Sequence, residues 1–269
     1  MEDSELGTQT EFEVVRMKNG SKETLTVAVA TEVPCTIDIN GSEAATLMCT
    51  PSNLKEFAVG FLFTSGMIQR ADDVQSFSCD PIRWKIDIQT KRDVDFDLLG
   101  KRMYTSGCGK GVMYSGVIEL ASRHPIESNF TVTNEFLNQC MKWLVTCSPL
   151  YRETSGVHTV AISLGGKLPQ FHIDDIGRHN AVDKVIGHCL LENLDFSESV
   201  LLCTGRISSE ILHKIKRCGI PIILSRGVPT HQTVMMAADM GICVVGFARG
   251  GNFTIYTQDH RVLFDNSAS

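Results

Sequence analysis

The sequence predicts an α/β fold, and two patterns carry that reading. From residue 178 onward helix-like and strand-like stretches alternate, and the strand-like ones are near-continuous apolar runs: Val200-Leu-Leu-Cys, Ile222-Ile-Leu and Cys243-Val-Val-Gly-Phe. Such runs are what parallel strands buried on both faces look like. Before residue 100 the strand-like stretches instead alternate apolar and polar side chains around turn signals, as hairpins with one wet face do. The prediction is a three-layer, mixed-sheet half over residues 151–269, preceded by a smaller α+β subdomain over residues 1–150. A chain of 269 residues with 43% hydrophobic content has room for that much core.

Taken in order, residues 1–20 are polar, lack a period and contain Lys18-Asn19-Gly20, so they read as an irregular lead-in able to pair late with a sheet. Glu23-Thr-Leu-Thr-Val-Ala-Val-Ala and Val33-Pro-Cys-Thr-Ile-Asp-Ile alternate like strands. Asn40-Gly41 then signals a tight hairpin turn into Ala44-Ala-Thr-Leu-Met-Cys. Thr50-Pro51-Ser52 reads as a cap with proline in the first turn of an amphipathic helix that uses Phe57, Val59 and Phe61 and ends near Gly66. One strand follows at Trp84-Lys-Ile-Asp-Ile. Residues 104–116 are small and glycine-rich, which predicts a loop with open backbone. Phe136, Cys140, Trp143, Leu144 and Cys147 share one stripe of a helix over 134–147 that faces the core.

From His158 two strands, Thr159-Val-Ala-Ile-Ser-Leu and Gln170-Phe-His-Ile, meet across Gly165-Gly166. Helices near 178–192, 208–217 and 231–240 then precede strands at 199–203, 221–225 and 243–248.

Composition narrows the function. The formal charge of −6 is concentrated in residues 1–150, with 14 Lys and Arg against 20 Asp and Glu, while residues 151–269 hold 11 of each. That balance speaks against general nucleic-acid binding, which rests on a basic face, so any anion must be held locally. No stretch approaches the roughly 18 apolar residues of a membrane span, and the opening Met1-Glu2-Asp3-Ser4-Glu5 is acidic where a secretory leader is basic. A cytoplasmic protein without membrane contact is expected. The ten cysteines form no C-x-x-C pair and mostly sit in apolar runs, as Cys189, Cys203 and Cys243 do, so they read as small core residues and not as a disulfide framework.

Three patterns suggest chemistry. Ligands of an open α/β sheet bind beyond the carboxyl ends of its strands, and each predicted parallel strand is followed at once by an arginine: Arg206, Arg226 and Arg249. Their guanidinium forks, with two helix N-termini nearby, predict one rim for phosphate or carboxylate. The second pattern is Asp174-Asp-Ile-Gly-Arg-His-Asn-Ala-Val-Asp-Lys. Helix capping explains Asp174 and Asp175 there, whereas Arg178, His179 and Asn180 are either part of a site or a buried polar network. The third is Cys108, in the glycine-rich loop beside Lys110, where exposure and a cation would favour a thiolate; the alternative is an incidental loop cysteine.

Six segments together resemble the FdhD family, the formate dehydrogenase accessory sulfurtransferases, over nearly the full chain. They are Pro51-Ser-Asn-Leu-Lys-Glu-Phe-Ala-Val-Gly-Phe-Leu, Thr105-Ser-Gly-Cys-Gly-Lys, the Asp174 to Lys184 segment, Thr204-Gly-Arg-Ile-Ser-Ser-Glu, Ser225-Arg-Gly-Val-Pro-Thr and Phe247-Ala-Arg-Gly. The resemblance implies a cytoplasmic homodimer that takes persulfide sulfur from a cysteine desulfurase and passes it to the bis-molybdopterin guanine dinucleotide form of the molybdenum cofactor (Mo-bis-MGD), before that cofactor enters formate dehydrogenase. It implies a cytidine deaminase-like C-terminal half. It does not imply zinc, because Ser208-Ser-Glu and Val228-Pro-Thr-His stand where the deaminase H-x-E and P-C-x-x-C ligands would.

Carried over residue by residue, Cys108 becomes the sulfur carrier, Lys110 stabilises its anion, and Phe247, Ala248, Arg249, Gly250, Gly251 and Asn252 form the cofactor-binding turn. Arg206, Arg226, Arg178 and His179 line the cofactor cavity. Many family members have a C-x-x-C where this chain has Cys108 alone. Aligning Thr105-Ser-Gly-Cys-Gly with T-S-S-C-G places Cys108 at the first cysteine, and aligning Cys108-Gly-Lys with C-G-K places it at the second; the first has more identities. Either alignment leaves one loop thiol and implies a one-thiol persulfide relay. The rival reading is a carrier or chaperone that holds the cofactor without sulfur chemistry. Nucleoside deamination has no ligands for its metal.

Overall fold

The computed structural model describes residues 6–94, 102–104, 112–114 and 124–264. Its chain opens on a hairpin, β1 (Gln9–Lys18) and β2 (Ser21–Ala30), paired antiparallel through their whole length. Asn19 and Gly20 at its tip both have positive φ, 51° and 81°, as a two-residue turn that matches strand twist requires. The irregular reading of residues 1–20 is therefore corrected: Asn19-Gly20 is the same turn signal as Asn40-Gly41.

A second sheet holds β3 (Val33–Ile39), β4 (Ser42–Cys49), β5 (Val74–Asp80) and β6 (Lys85–Thr90) in the order β4-β3-β6-β5. The predicted hairpin at Asn40-Gly41 joins β3 to β4, and β5 is a strand whose weak alternation escaped the sequence reading. Between β4 and β5 runs α1 (Leu54–Thr64), with Asn53 at its N-cap in left-handed conformation. Pro51 thus precedes the helix instead of sitting in its first turn. Short antiparallel strands β7 (Arg102–Tyr104) and β8 (Val112–Tyr114) occupy part of the stretch read as loop. Cys108 and Lys110 lie outside the described residues.

The larger sheet has six strands. After the two-residue β9 (Val132–Thr133) come helices α2 (Asn134–Cys147) and α3 (Pro149–Thr154). Then β10 (His158–Leu164), β11 (His172–Asp175), α4 (Arg178–Leu191), β12 (Ser199–Cys203), α5 (Ser209–Cys218), β13 (Ile222–Ser225), α6 (His231–Met240), β14 (Cys243–Arg249) and β15 (Asn252–Thr257) follow, with β16 (Val262–Leu263) returning to pair with β9. The sheet order is β11-β10-β12-β13-β14-β15, and β12, β13 and β14 are mutually parallel as predicted. The fold is mixed α/β with several sheets.

Period 2 divides the sheet between two cores. Leu201, Cys203, Ile223 and Val244 face α1, α4 and α5 in one buried cluster, while Val200, Leu202, Ile222, Leu224, Cys243 and Val245 face α2 in the other. That produces three layers. On α2 the buried residues are Leu137, Cys140, Met141 and Leu144, so the core stripe is rotated from the predicted one and leaves Phe136, Trp143 and Cys147 half-buried. Cys189, Cys203 and Cys243 are fully buried as expected, and burial raises their thiols to about 12, 11 and 12.

The two halves meet where α1 crosses α4. Gly60 and Gly187 face each other: a Cβ on Gly60 would lie 1.8 Å from the Asp183 carbonyl oxygen, and one on Gly187 1.9 Å from that of Glu56. Only glycine permits this approach. Among the described residues no helix is long and apolar enough to cross a membrane.

Candidate functional site

The parallel strands end on two loops that are sewn together. Ser225 Oγ donates to the Gly205 carbonyl at 2.5 Å and accepts from Gly227 N at 2.9 Å. Arg226 N donates to the Cys203 carbonyl, and Ile207 pairs with Pro229 in an isolated parallel bridge. A Cβ on Gly227 would come within 2.6 Å of Gly205 O, so the glycines allow the crossing. The result is a rim whose backbone is fixed before any ligand arrives, as a preorganised site requires.

At this rim a cavity of about 510 Å³ opens between the strand ends and the outer side of α2. Arg226, Ala248, Arg249, Gly250 and Gly251 form one wall, and Glu135, Asn138, Gln139, Lys142 and Val145 the other. Such a volume suits a nucleotide-sized ligand. Gly250 and Gly251 have φ of 57° and 84° and close a two-residue turn from Arg249 to Asn252, with no atom within 4 Å of where a Cβ would sit. Here glycine serves the turn's backbone, not a close approach.

Phe247, just before the turn, is itself left-handed at φ 55° and 50% exposed, while its N–H donates to the Gly227 carbonyl at 2.7 Å. A bulky residue in this region is strained and held by its surroundings. Its ring lies 5.0 Å from the Arg249 guanidinium carbon, a cation–π stack that presents Arg249 at the cavity mouth. The Tyr151 hydroxyl lies 3.5 Å from Arg226 Nη1.

Arg206 is exposed but does not line this cavity. Burial first, and then Arg178, depresses both His158 and His179, with Arg206 adding a smaller effect. Arg178 and His158 both lie against Gly205, the residue before Arg206, and form a second group beside the first. Arg178 packs over Gly205, whose Cβ would meet its Cδ at 3.1 Å. His179 Nε2 lies 3.0 Å from Ser208 Oγ and 3.1 Å from Glu210 Oε2. Burial, then Arg178, drives its pKa down to about 2, so the ring is neutral. The sequence therefore places three arginines in equivalent strand-end positions, and the structure sorts them into Arg226 with Arg249 and Arg206 with Arg178.

The rest of the Asp174 to Lys184 motif is internal. Asp174 accepts from Ser148 Oγ at 2.7 Å and Thr159 Oγ1 at 2.6 Å, and Asp175 pairs with Lys184 at 2.7 Å with both side chains fully buried. Neither acid caps the helix, whose N-cap is Gly177, which corrects the capping explanation. Lys184 also donates to the Thr50 carbonyl, and Asn180 to the Met48 carbonyl and to Asp175. Asn180 thus belongs to a network that ties the two halves together. One turn on, Asp183 accepts from Lys214 at 2.8 Å and Thr64 Oγ1 at 2.6 Å.

What sequence reasoning missed is the α2 wall. Glu135, Asn138, Gln139 and Lys142 follow i, i+3, i+4, i+7 spacing on the side opposite the apolar stripe, a pattern that ordinarily marks a solvated face.

Comparison with known proteins identifies relatives of the chain. Residues 30–263 match the model of the FdhD/NarQ family. A sulfur carrier protein FdhD from Staphylococcus haemolyticus (strain JCSC1435) is 36% identical over 251 residues, spanning 93% of this chain and 95% of that protein. Its counterpart from Staphylococcus aureus (strain MRSA252) is 38% identical over 253 residues, with the same coverage of 93% and 95%. Among solved structures, a Desulfotalea psychrophila protein described as a formate dehydrogenase accessory protein superposes with a TM-score of 0.79 at 25% identity, covering 95% of this chain and 100% of that one.

Proposed function

Because the chain belongs to the FdhD/NarQ family, we propose that it is a sulfur carrier in the maturation of formate dehydrogenase. Cys108 takes the sulfur. Its thiolate attacks the outer sulfur of a cysteine desulfurase persulfide, the sulfur–sulfur bond breaks, and the electron pair leaves on the desulfurase cysteine. Lys110 offsets the charge of the new persulfide. The recipient is the Mo-bis-MGD cofactor, a substrate of this protein, which then passes to formate dehydrogenase.

The observation that supports this reading best is the cavity between α2 and the strand ends, with Arg226, Arg249 and Lys142 in its walls. Three cations around a nucleotide-sized space suit the pyrophosphates and guanine nucleotide ends of such a substrate. The family's cofactor turn, Phe247 to Asn252, lies at its mouth. Arg206, Arg178 and His179 extend the polar surface beyond it. We read the six-stranded layer as a cytidine deaminase-like scaffold without zinc, in which Ser208 stands at the histidine position of H-x-E and Thr230 at the first cysteine of P-C-x-x-C.

The test uses two variants in cells lacking the native protein. Cys108→Ser should abolish formate dehydrogenase activity while the purified variant keeps its affinity for GDP. Arg249→Ala should lose about tenfold or more in GDP affinity, as expected for a charge-assisted contact, with an unchanged melting temperature. A carrier without sulfur chemistry would keep formate dehydrogenase active with Cys108→Ser.

A further inference from the structure

We propose that Glu135 is the residue through which the cavity selects a guanine base. The inference rests on the anionic-nucleotide reading of that cavity and adds the element that reads the base. An acid among Lys142, Arg226 and Arg249 is the anomaly from which it starts. A carboxylate in a phosphate site weakens anion binding unless the ligand brings hydrogen-bond donors to it.

Two ordinary explanations fall short. Glutamate in the first turn of α2 does suit the helix dipole, yet Thr133 Oγ1 already caps that end by accepting from Phe136 N, and the dipole does not require the side chain to face the cavity. Nor, among the described residues, does an ion pair join Glu135 to a cation. Among the described residues its hydrogen-bond partner is Gln139, whose Nε2 donates to Oε1 at 3.3 Å. Glu135 and Lys142 stand seven positions apart on one helix, so about 10 Å of helical rise separates their Cα atoms along the wall.

An ionised carboxylate accepts hydrogen bonds and donates none. Guanine presents two adjacent donors, N1–H and the N2 amino group, and can satisfy both carboxylate oxygens. Adenine and cytosine place an acceptor next to their amino group and meet the carboxylate with one donor and one repulsion. Gln139 holds the acid in place, and Asn138, on the same wall, offers an amide to guanine O6. Discrimination then resides on α2, while Arg226 and Arg249 hold phosphate in any nucleotide.

The experiment is calorimetric titration of the full chain and of Glu135→Gln with GDP, IDP, ADP and inorganic pyrophosphate, with Glu135→Asp as the conservative variant. IDP lacks the N2 amino group and retains N1–H. The parent should bind GDP more tightly than ADP by about tenfold or more, with IDP between them. Glu135→Gln should erase that order, weakening GDP by about tenfold while leaving ADP and pyrophosphate unchanged or tighter, and Glu135→Asp should restore part of the preference. If Glu135→Gln binds all four ligands as the parent does, or weakens them all equally at an unchanged melting temperature, the assignment of Glu135 is wrong and the cavity reading stands. If the parent binds neither GDP nor pyrophosphate, the cavity reading itself fails and this inference with it.

Discussion

Lys184 and Arg249 carry the same charge in opposite surroundings. Lys184 is fully buried between the halves, its ammonium 2.7 Å from Asp175 and 2.9 Å from the Thr50 carbonyl. Arg249 is exposed over the Phe247 ring, and it shares a cavity with two further cations. A buried cation whose donors are met inside the protein serves the fold, because any exchange for a ligand would strand Asp175 without its partner. An exposed cation grouped with others of its own sign gains by meeting an anion. The polar motifs of this chain thus do two jobs, joining α4 to the N-terminal sheet and gathering cations around a cavity at the strand ends.

The comparison can be broken most forcefully at the helix crossing. Gly60→Ala would push a methyl group against the Asp183 carbonyl, and since backbone cannot yield there, α1 and α4 must separate. A destabilisation of about 4 kcal/mol or more is expected, read as loss of soluble protein or a collapse in the chemical-denaturation midpoint. A midpoint near that of the parent would show that the halves are not held by this contact. Lys184→Met comes next. It leaves Asp175 buried without a counter-charge at a cost of about 3–5 kcal/mol, where Arg249→Ala should cost less than about 0.5 kcal/mol, as surface substitutions do. Equal denaturation midpoints for the two variants would erase the distinction between them.

Local signals made much of this fold legible. The strand 199–203 and the helix 231–240 match the observed bounds because a continuous apolar run and a Thr-capped, Gly-terminated helical period are both local. Asn40-Gly41 identified its hairpin, whereas the equal signal at Asn19-Gly20 was outweighed by the polar residues around it. Most side chains of β1 are exposed, Phe12, Val15 and Met17 among them, so no buried face marks it as a strand. What stayed hidden is long-range. Gly60 and Gly187 are ordinary helix glycines until α1 and α4 meet. Asp174 and Asp175 looked like caps because their partners, Ser148, Thr159, Thr50 and Lys184, come from other elements.

The candidate site divides in the same way. The position of an arginine after each strand was readable, but its grouping was not, since the cavity that takes in Arg226 and Arg249 and leaves out Arg206 is bounded by α2, an element distant in sequence. The α2 wall carried a readable polar stripe whose neighbour only tertiary structure supplies. For Cys108 the resemblance alone carried the assignment.

The central claim is that Cys108 carries sulfur, and intact-mass spectrometry tests it most directly. The full chain and Cys108→Ser are incubated with a cysteine desulfurase, pyridoxal phosphate and cysteine, then weighed without reductant. The account predicts a gain of one sulfur atom on the parent and none on the variant. A parent that gains no sulfur while still binding GDP, or a Cys108→Ser chain that gains it equally, would contradict it.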